Sequence, residues 1–399
     1  MPWKSISLLQ ARVRFVKLLL KAQQPLAEVC RTFGISRKTG YKWKRRFGEQ
    51  GGRGMRDQSR RPQRSPGRTP ERWLKAIRRL RCHHRRWGAK KIRQGLRRQF
   101  PRQHLPAVRT ITLWLTRWQL TRRRRPRSPR SLWLLRPPLT VPRRCNQVWT
   151  VDFKGWFRTT NGQRIEPLTV RDLFSRYLLA VRLLPDQQWW RARAVFRRLF
   201  RRFGLPRIIR VDNGGPFGSS GPAGLTRLSA WWTALGIKVE FIAPGHPEQN
   251  GAHEQMHREL KADLATPASS TKRAQQRRTD GWVDDYNGVR PHEALGQRTP
   301  AECYRKGPED SGGQRLRLKY PKHWEVRSVR SNGQIRWQGR LRFVGEAFVG
   351  LKVGLKPAGI GKRIAYLARV PLGELRVSDA CGLRPAAYVH KHPTKLKKV

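Results

Sequence analysis

Two aspartates in the middle of the sequence have the placement expected of ligands to a shared cation. Asp152 lies inside the apolar run 148–153, and Asp212 directly follows the apolar run 208–211. An ionised carboxylate in or beside a buried strand costs free energy unless a cation offsets its charge. The pair therefore predicts a metal site. The alternative is that Asp212 only begins a turn and that Asp152 pairs with a basic neighbour.

A third carboxylate is needed for such a site, and two glutamates are candidates. Glu248 follows Asp212 after 35 intervening residues, but it lies in a segment whose proline, asparagine and glycine are typical of a loop. Glu254 lies in the next helical segment, where 100° per residue directs it away from the apolar stripe. Arg258 and Lys261 share its side of the helix. We select Glu254, because a rigid helix with a carboxylate beside two cations suits a metal ion and a phosphate.

The segments around these carboxylates predict one α/β domain with a mixed central sheet. Strands are predicted in 147–157, 164–184, 206–215 and 237–244, and helices in 189–204, 227–236 and 250–264. Asn161-Gly162 suits a hairpin turn between the first two strand segments. The tryptophan pairs Trp189-Trp190 and Trp231-Trp232 are interpreted mainly as packing residues of a core or an interface, and base-stacking platforms are the alternative.

The beginning of the chain predicts three helices between Ile6 and about Gly48. Pro25 opens the second helix, Gly34 ends it, and Ser36 caps the third. Two helices joined by a tight turn, the second of them basic, indicate a helix-turn-helix. The alternative is an ordinary helical hairpin with a basic outer face. Four basic residues of the third helix are the DNA-contact candidates: Arg37, Lys38, Lys42 and Arg45.

The charge of the chain indicates a polyanionic partner. Its 399 residues include 88 Lys and Arg but only 25 Asp and Glu, which gives a formal net charge of +63. Nucleic acid is the partner that such a charge favours. An arginine-rich genome bias or a ribosome-type RNA-binding protein are the alternatives.

The sequence has neither an apolar run long enough for a membrane span nor a signal peptide pattern, so we expect a cytoplasmic protein without a membrane partner.

Changes in composition predict a multidomain α/β chain of six segments. They are a helix-turn-helix domain (1–50), a basic linker (51–70), a second helix-turn-helix-like domain (71–125), a basic proline-rich linker (126–145), the α/β domain (146–310), and a small β-barrel-like C-terminal domain with a basic tail (311–399).

Three stretches of the chain carry a resemblance to a known family. They are VDNGGPF, RLSAWWTALGIKVEFIAPGHPEQNGAHEQMHRELK and YNGVRPHEALGQRTPAECY. Residues 147–304 resemble the core of bacterial insertion-sequence transposases with a retroviral-integrase-type catalytic domain. In the shared motif the catalytic glutamate falls on Glu254. This chain departs from retroviral integrases in the insertion GSSGPAGLT and in lacking their histidine-cysteine zinc domain.

The resemblance implies an RNase H-like integrase core of the Asp-Asp-Glu type. Asp152, Asp212 and Glu254 would be the catalytic residues and would hold two Mg²⁺ (or Mn²⁺) ions, which oxygen-only ligands suit. The implied function is a DNA transposase that binds inverted-repeat transposon ends, cuts them and joins them to target DNA. It would work as a homodimer or larger synaptic assembly on the bacterial nucleoid, with Arg258 and Lys261 contacting DNA.

Two other hypotheses remain open at this point. One is a DNA-binding regulator that keeps the fold without turnover, and the other is an RNase H-like nuclease that cuts without joining. His246, His253 and His257 are expected near the site and are candidates for DNA contact, and metal ligands or proton shuttles among them are the less favoured alternative. The group from Tyr286 to Pro300 is interpreted mainly as an element that docks the catalytic helix, with Arg290 as a further phosphate candidate.

Overall fold

The computed structural model describes residues 7–21, 24–59, 68–121, 139–243, 251–307, 318–379 and 382–385. The chain divides into two compact units, residues 1–70 and 71–399. Glu248 and His246 lie outside the described residues, as does most of the second predicted linker. Within the described ranges, no helix is both long and apolar enough to cross a membrane.

The first unit contains the three predicted helices. They are α1 (Leu8–Lys21), α2 (Leu26–Thr32) and α3 (Arg37–Gln50). The Ser36 side chain accepts a hydrogen bond from the Thr39 backbone N–H and so caps α3, as its sequence position predicts. A small apolar core joins the helices: Phe15, Val16, Val29, Cys30, Trp43 and Met55.

Gly40 allows α2 and α3 to approach closely. A Cβ atom at this position would lie 2.4 Å from Cys30 Sγ, which is far too short for a real contact. The predicted first linker begins later than the sequence pattern indicates, because Gly51–Met55 forms a short 3-10 turn. Met55 is fully buried there, so one apolar residue outside any periodic run is enough to fix this turn on the helices.

The second unit begins with the predicted three-helix module. Its helices are α4 (Glu71–His83), α5 (Ala89–Gln99) and α6 (Val108–Arg117). Their amphipathic faces form one apolar cluster: Trp73, Ile77, Leu80, Trp87, Ile92, Leu96, Leu105, Ile111 and Leu115.

A mixed sheet forms the centre of the second unit, as the sequence predicts. Its strands are β1 (Val148–Phe153), β2 (Phe157–Arg158), β3 (Arg164–Asp172), β4 (Leu178–Leu184), β5 (Ile208–Val211) and β6 (Lys238–Phe241). The strand order is β4-β3-β1-β5-β6, with β2 paired to the beginning of β3. The β1, β3 and β4 pairings are antiparallel, whereas β5 pairs in parallel with β1 and β6.

Helices cover both faces of this sheet. The apolar cluster on one face includes residues of α7 (Trp189–Phe203) and α8 (Arg227–Ala234). A second cluster joins β4 to α9 (Gly251–Leu264) and α10 (Lys272–Gly288). The short helix α11 (Pro300–Cys303) follows. Because both faces of the sheet are buried, the side chains at the ends of its strands are held rigidly.

Helix α10 was not predicted from the sequence. Its inward positions include Gln275 and Thr279, which are fully buried although they are polar. Gln275 donates to the Leu264 carbonyl and accepts from the Ser269 backbone N–H. Because polar residues occupy the buried stripe, the hydropathy pattern of this helix is hidden.

Ion pairs attach the three-helix module to the α/β domain. Arg86 pairs with Asp263 of α9 at 3.1 Å, and Arg98 pairs with Glu302 of α11 at 2.7 Å. The second predicted linker is also partly packed, because Thr140 donates twice to Glu240 on β6. The packed part of the domain therefore starts before residue 146.

The C-terminal region is the predicted β module. Its strands are β7 (Glu325–Ser328), β8 (Gln334–Trp337), β9 (Arg340–Phe343), β10 (Lys352–Pro357), β11 (Lys362–Leu367), β12 (Val370–Arg376) and β13 (Arg384–Pro385). Five of them form the sheet β13-β12-β11-β10-β7, and β8 and β9 form a separate hairpin. The apolar core of the module includes Ala223, Leu225 and Ala230 of the α/β domain.

Candidate active site

The sheet register brings Asp152 and Asp212 side by side. The neighbouring strands β1 and β5 are parallel, and Val148 pairs with Ile208 and Thr150 with Arg210. Extended by two residues, this register places Asp152 level with Asp212, on strands that lie about 4.8 Å apart. The two carboxylates that the sequence singled out therefore leave the same edge of the sheet.

The electrostatic environment of Asp152 reflects this crowding. The pKa of Asp152 is raised from 3.8 to about 7, chiefly by burial and next by the Asp212 carboxylate, with Glu254 contributing in the same direction. Burial also raises the pKa of Asp212, although the Gly214 backbone N–H donates to its carboxylate. Asp212 and Glu254 thus lie close enough to Asp152 to raise its pKa.

The carboxylate oxygens of Asp212 are suitable ligands for a divalent cation. Asp212 Oδ1 is buried, and none of the described residues donates a hydrogen bond to it. A buried oxygen without a partner costs roughly 1–3 kcal/mol, and more when it is charged. A Mg²⁺ ion between Asp152 and Asp212 would remove this cost and the repulsion between the carboxylates.

Glu254 lies in the first turn of α9, where the helix faces solvent. Its side chain is exposed, as are those of Arg258 and Lys261, so all three occupy the outward face that the helical pattern predicts. The opposite face of α9 is anchored by Met256 and Leu260, which are almost fully buried.

Two histidines attach α9 to the sheet through a shared threonine. Thr169 Oγ1 donates to the Asp152 carbonyl at 2.9 Å. It lies 2.6 Å from His253 Nε2 and 2.7 Å from His257 Nε2. Since the only proton of this hydroxyl is already donated, both Nε2 atoms must be the donors. His253 Nδ1 then accepts from Thr150 Oγ1 at 2.9 Å.

This network decides which atoms remain free for a metal ion. One oxygen or nitrogen each of Asp152, His253 and His257 lie within 4.8 Å of one another. Both nitrogens of His253 are engaged in hydrogen bonds, so it offers no lone pair. His257 Nδ1 has a free lone pair 3.5 Å from Asp152 Oδ2 and cannot donate to it while the ring is neutral. Burial keeps it neutral, lowering the pKa of His257 to about 3.

The histidines are therefore structural rather than DNA-facing. His253 is 0% and His257 4% exposed, which excludes the expected contact of these two residues with DNA. The sequence signal for this role is their spacing of four on α9, beside the apolar stripe, which places both rings on the buried side. Sequence reasoning also missed Lys154, whose charge lies close enough to Asp152 to lower its pKa.

The group from Tyr286 to Pro300 docks α9, in agreement with its main interpretation. Arg290 pairs with Glu259 of α9 at 2.6 Å, and both side chains are largely buried. Tyr286 belongs to the same apolar cluster as the α9 residues. Because Arg290 is buried and paired, its alternative role as a phosphate contact does not fit the structure.

The tryptophan pairs divide into buried and exposed residues. Trp231 and Trp232 are buried in the core, and Trp189 packs against it. Trp190 is 49% exposed, so it does not pack in the core of this chain, and its interpretation as an interface residue stays a prediction. Position 190 lies in the first turn of α7, where the helical period turns it away from the sheet.

In the first unit, the DNA-contact candidates on α3 are all exposed: Arg37, Lys38, Lys42 and Arg45.

Comparison with known protein families finds an integrase core domain and helix-turn-helix-type domains in this chain. The integrase core domain family matches residues 142–247 and 235–300. A helix-turn-helix domain family matches residues 11–63, and a homeodomain-like family matches residues 39–115.

Among curated proteins, the chain is similar to products of bacterial insertion elements. It is 30% identical over 222 residues to the "Insertion element IS407 uncharacterized 31.7 kDa protein" of Burkholderia multivorans, covering 55% of this chain and 75% of that protein. It is 30% identical over 232 residues to the "Insertion element IS476 uncharacterized 39.2 kDa protein" of Xanthomonas euvesicatoria, covering 55% and 60%.

Among solved structures, the chain is similar to the catalytic core domain of BIV integrase. That match has 20% identity and a TM-score of 0.31, covering 40% of this chain and 93% of that one. The family matches, the sheet topology and the identity to insertion-element proteins agree with the resemblance read from the motifs. The chain therefore belongs to the insertion-element transposases that carry an RNase H-like integrase core behind helix-turn-helix domains.

Proposed function

We propose that this protein cuts the inverted-repeat ends of a transposon and joins them to target DNA, with Asp152, Asp212 and Glu254 as its catalytic residues. The observation that carries the proposal is the pair of level, desolvated aspartates, one with a buried oxygen that has no donor among the described residues. The bound Mg²⁺ ions would supply charge neutralisation at the reacting phosphate and a nucleophile at neutral pH.

The residues of the chain have separate tasks in this proposal. Asp152 and Asp212 hold the cations from the sheet edge, while Glu254 closes the site from α9. His257 and Thr169 hold α9 against β1, so the helix carboxylate keeps its place relative to the sheet carboxylates. The exposed cations Arg258 and Lys261 bind phosphates of the DNA strand.

Recognition of the transposon ends is assigned to the helical domains. The exposed basic face of α3 suits the major groove, where a recognition helix reads bases and phosphates. The net charge of +63 favours DNA at any sequence, so base contacts must supply the specificity. We further propose that two or more copies assemble on a pair of ends, because joining both ends to one target requires two active sites.

The test compares wild type with Glu254→Gln and Glu248→Gln on labelled transposon-end DNA in Mg²⁺. Nicking, strand joining and binding are scored separately. We expect Glu254→Gln to lose all chemistry and to bind DNA as well as wild type. Glu248→Gln is the matched control and is expected to remain active.

Each alternative has its own result in this assay. Binding by wild type without any cleavage contradicts the proposed activity and favours a regulator. Cleavage without joining favours a nuclease. If Glu248→Gln is inactive and Glu254→Gln is active, the assignment of the third carboxylate is wrong.

A further inference from the structure

The sheet edge beside Asp152 contains a β-bulge. Phe153 pairs with Leu168, whereas Phe157 pairs with Ile165. The three residues between β1 and β2 therefore lie opposite two residues of β3. Gly155, in the middle of the three, has φ +51°, a conformation that favours glycine. Bulges next to active sites often re-aim a side chain.

The side chain that this bulge turns outward is Trp156. It is 55% exposed, which is unusual for a residue of this size. The guanidinium carbons of Arg158 and Arg164 lie 5.8 Å and 5.0 Å from its ring centroid. An exposed aromatic ring with cations beside it is the combination that proteins use to bind a single nucleic-acid strand.

The hairpin that carries Trp156 is held firmly in place. The backbone N–H groups of Thr160 and Asn161, at its tip, donate to the carbonyls of Ser269 and Ser270 at 3.1 Å and 3.3 Å. Arg164 is oriented by an ion pair of 2.6 Å with a buried glutamate of β3. A ring that is already fixed loses little conformational entropy when a ligand stacks on it.

We propose that Trp156 is a stacking platform for an unpaired base of the DNA strand that occupies the active site. The inference deepens the proposed function and rests on it, because it takes DNA as the substrate. Along β3, the partner of Phe157 lies four residues from Thr169, the partner of Asp152. This separation is about 13 Å at 3.3 Å per residue, a span of two to four nucleotides. Trp156 therefore meets a base near the reacting phosphate, where the end of the duplex must open.

The charges around Trp156 favour DNA over a second copy of the chain. Arg158 and Arg164 lie beside the ring, and Lys154 is two residues from Trp156 in the chain. In a two-fold symmetric contact the same surface meets itself, so these cations would face their own copies. A DNA strand instead brings one negative charge per nucleotide to the same place.

The experiment uses the full-length protein with a forked DNA duplex that has a three-nucleotide unpaired end containing 2-aminopurine. A blunt duplex of the same sequence is the comparison probe. Both are measured in Ca²⁺ at one fixed salt concentration, by 2-aminopurine fluorescence and by affinity. The variants are Trp156→Ala, Trp156→Phe and Trp190→Ala. Trp190 is a matched control, since it is 49% exposed and has Arg191 at 4.1 Å from its ring.

We expect Trp156→Ala to lose the fluorescence quenching and to bind the forked probe about tenfold more weakly, the effect of losing one base–aromatic stack. Trp156→Phe should keep most of both signals, and Trp190→Ala should match wild type. Unchanged quenching in Trp156→Ala overturns the proposal. Equal losses in the two alanine variants, or equal losses on blunt and forked probes, also overturn it, because they indicate a general surface effect.

The readout separates this inference from the proposed function. Quenching and affinity do not require cleavage, so they are measurable even if the protein never cuts DNA. A protein that cuts and joins DNA but whose Trp156→Ala variant binds like wild type would contradict the stacking platform alone. A wild type that quenches 2-aminopurine through Trp156 without cutting would contradict the proposed activity alone.

Discussion

Replacing Asp152 by asparagine should stabilise the metal-free protein, and the gain should grow with pH. In the folded chain the pKa of Asp152 is raised from 3.8 to about 7. A carboxyl whose folded pKa is raised contributes its stability below the unfolded pKa and loses it as pH rises through the folded pKa. Ionised Asp152 is therefore unfavourable above pH 7, and asparagine, which carries no charge, avoids that cost.

The magnitude follows from the shift in pKa. From 3.8 to about 7 is about three units, and each unit corresponds to about 1.4 kcal/mol, so ionisation costs roughly 4 kcal/mol at pH 8. At pH 5 the carboxyl is ionised in the unfolded chain but protonated in the folded one. Only the interval from pH 3.8 to pH 5 then contributes, and the cost is about 1.5 kcal/mol. For a unit spanning residues 71–399, an unfolding entropy of about 2 cal/mol/K per residue converts these values to roughly 6 °C and 2 °C in Tm.

The assay is thermal unfolding of wild type and Asp152→Asn at pH 5 and pH 8, each with EDTA and with Mg²⁺. Mg²⁺ should raise the Tm of wild type at pH 8 and should have little effect on the variant, which lacks the anionic ligand. Asp280→Asn is the control, because Asp280 is exposed, pairs with Arg182 at 3.5 Å, and accepts a hydrogen bond from Gln276 that an asparagine side-chain oxygen can also accept. A surface change of this kind should shift Tm little at either pH.

Two results would refute the electrostatic reasoning. If Asp152→Asn is no more stable than wild type at pH 8 in EDTA, then Asp152 is not held in a desolvated, repulsive site. If Mg²⁺ stabilises the variant as much as wild type, the cation binds somewhere other than between the two level aspartates.

Two further predictions concern packing and hydrogen bonding. Gly40→Ala should destabilise the first unit by about 1–3 kcal/mol, since the new Cβ would lie 2.4 Å from Cys30 Sγ. Gly48 is on the same helix, and a Cβ atom there would have no other atom within 4 Å, so Gly48→Ala should be neutral or stabilising. Denaturant titration measures the stability of both variants, and equal effects would contradict the close-packing argument. His253→Ala should cost about 2–4 kcal/mol, because it removes a fully buried ring and its hydrogen bonds to the buried hydroxyls of Thr150 and Thr169, and it should make α9 more sensitive to limited proteolysis. Unchanged proteolysis would show that the histidine does not hold α9.

Much of the site was predictable because its signals are local. Asp152 and Asp212 interrupt or end apolar runs, and each run is one strand. The outward direction of Glu254 follows from the helical period alone, and the structure places its side chain in solvent. The level register of the aspartates is different, since it depends on how two distant strands pair.

The elements that were missed depend on contacts between distant residues. Gln275 and Thr279 look like surface residues in the sequence, yet they are buried because their partners come from other segments or from the preceding turn. Nothing near Arg290 in the sequence indicates that Glu259 will neutralise it. Polar residues with remote partners carry no periodic signal, so hydropathy patterns misplace them.

The insertion that lengthens the gap between the second aspartate and the glutamate has an evolutionary consequence. Its residues Ala223 and Leu225 belong to the apolar core of the C-terminal β module. A chain that ended after α11 would expose this apolar surface to water and favour aggregation. The insertion and the β module must therefore be inherited together, and a hybrid that takes them from different relatives should fold poorly even if every catalytic residue is kept.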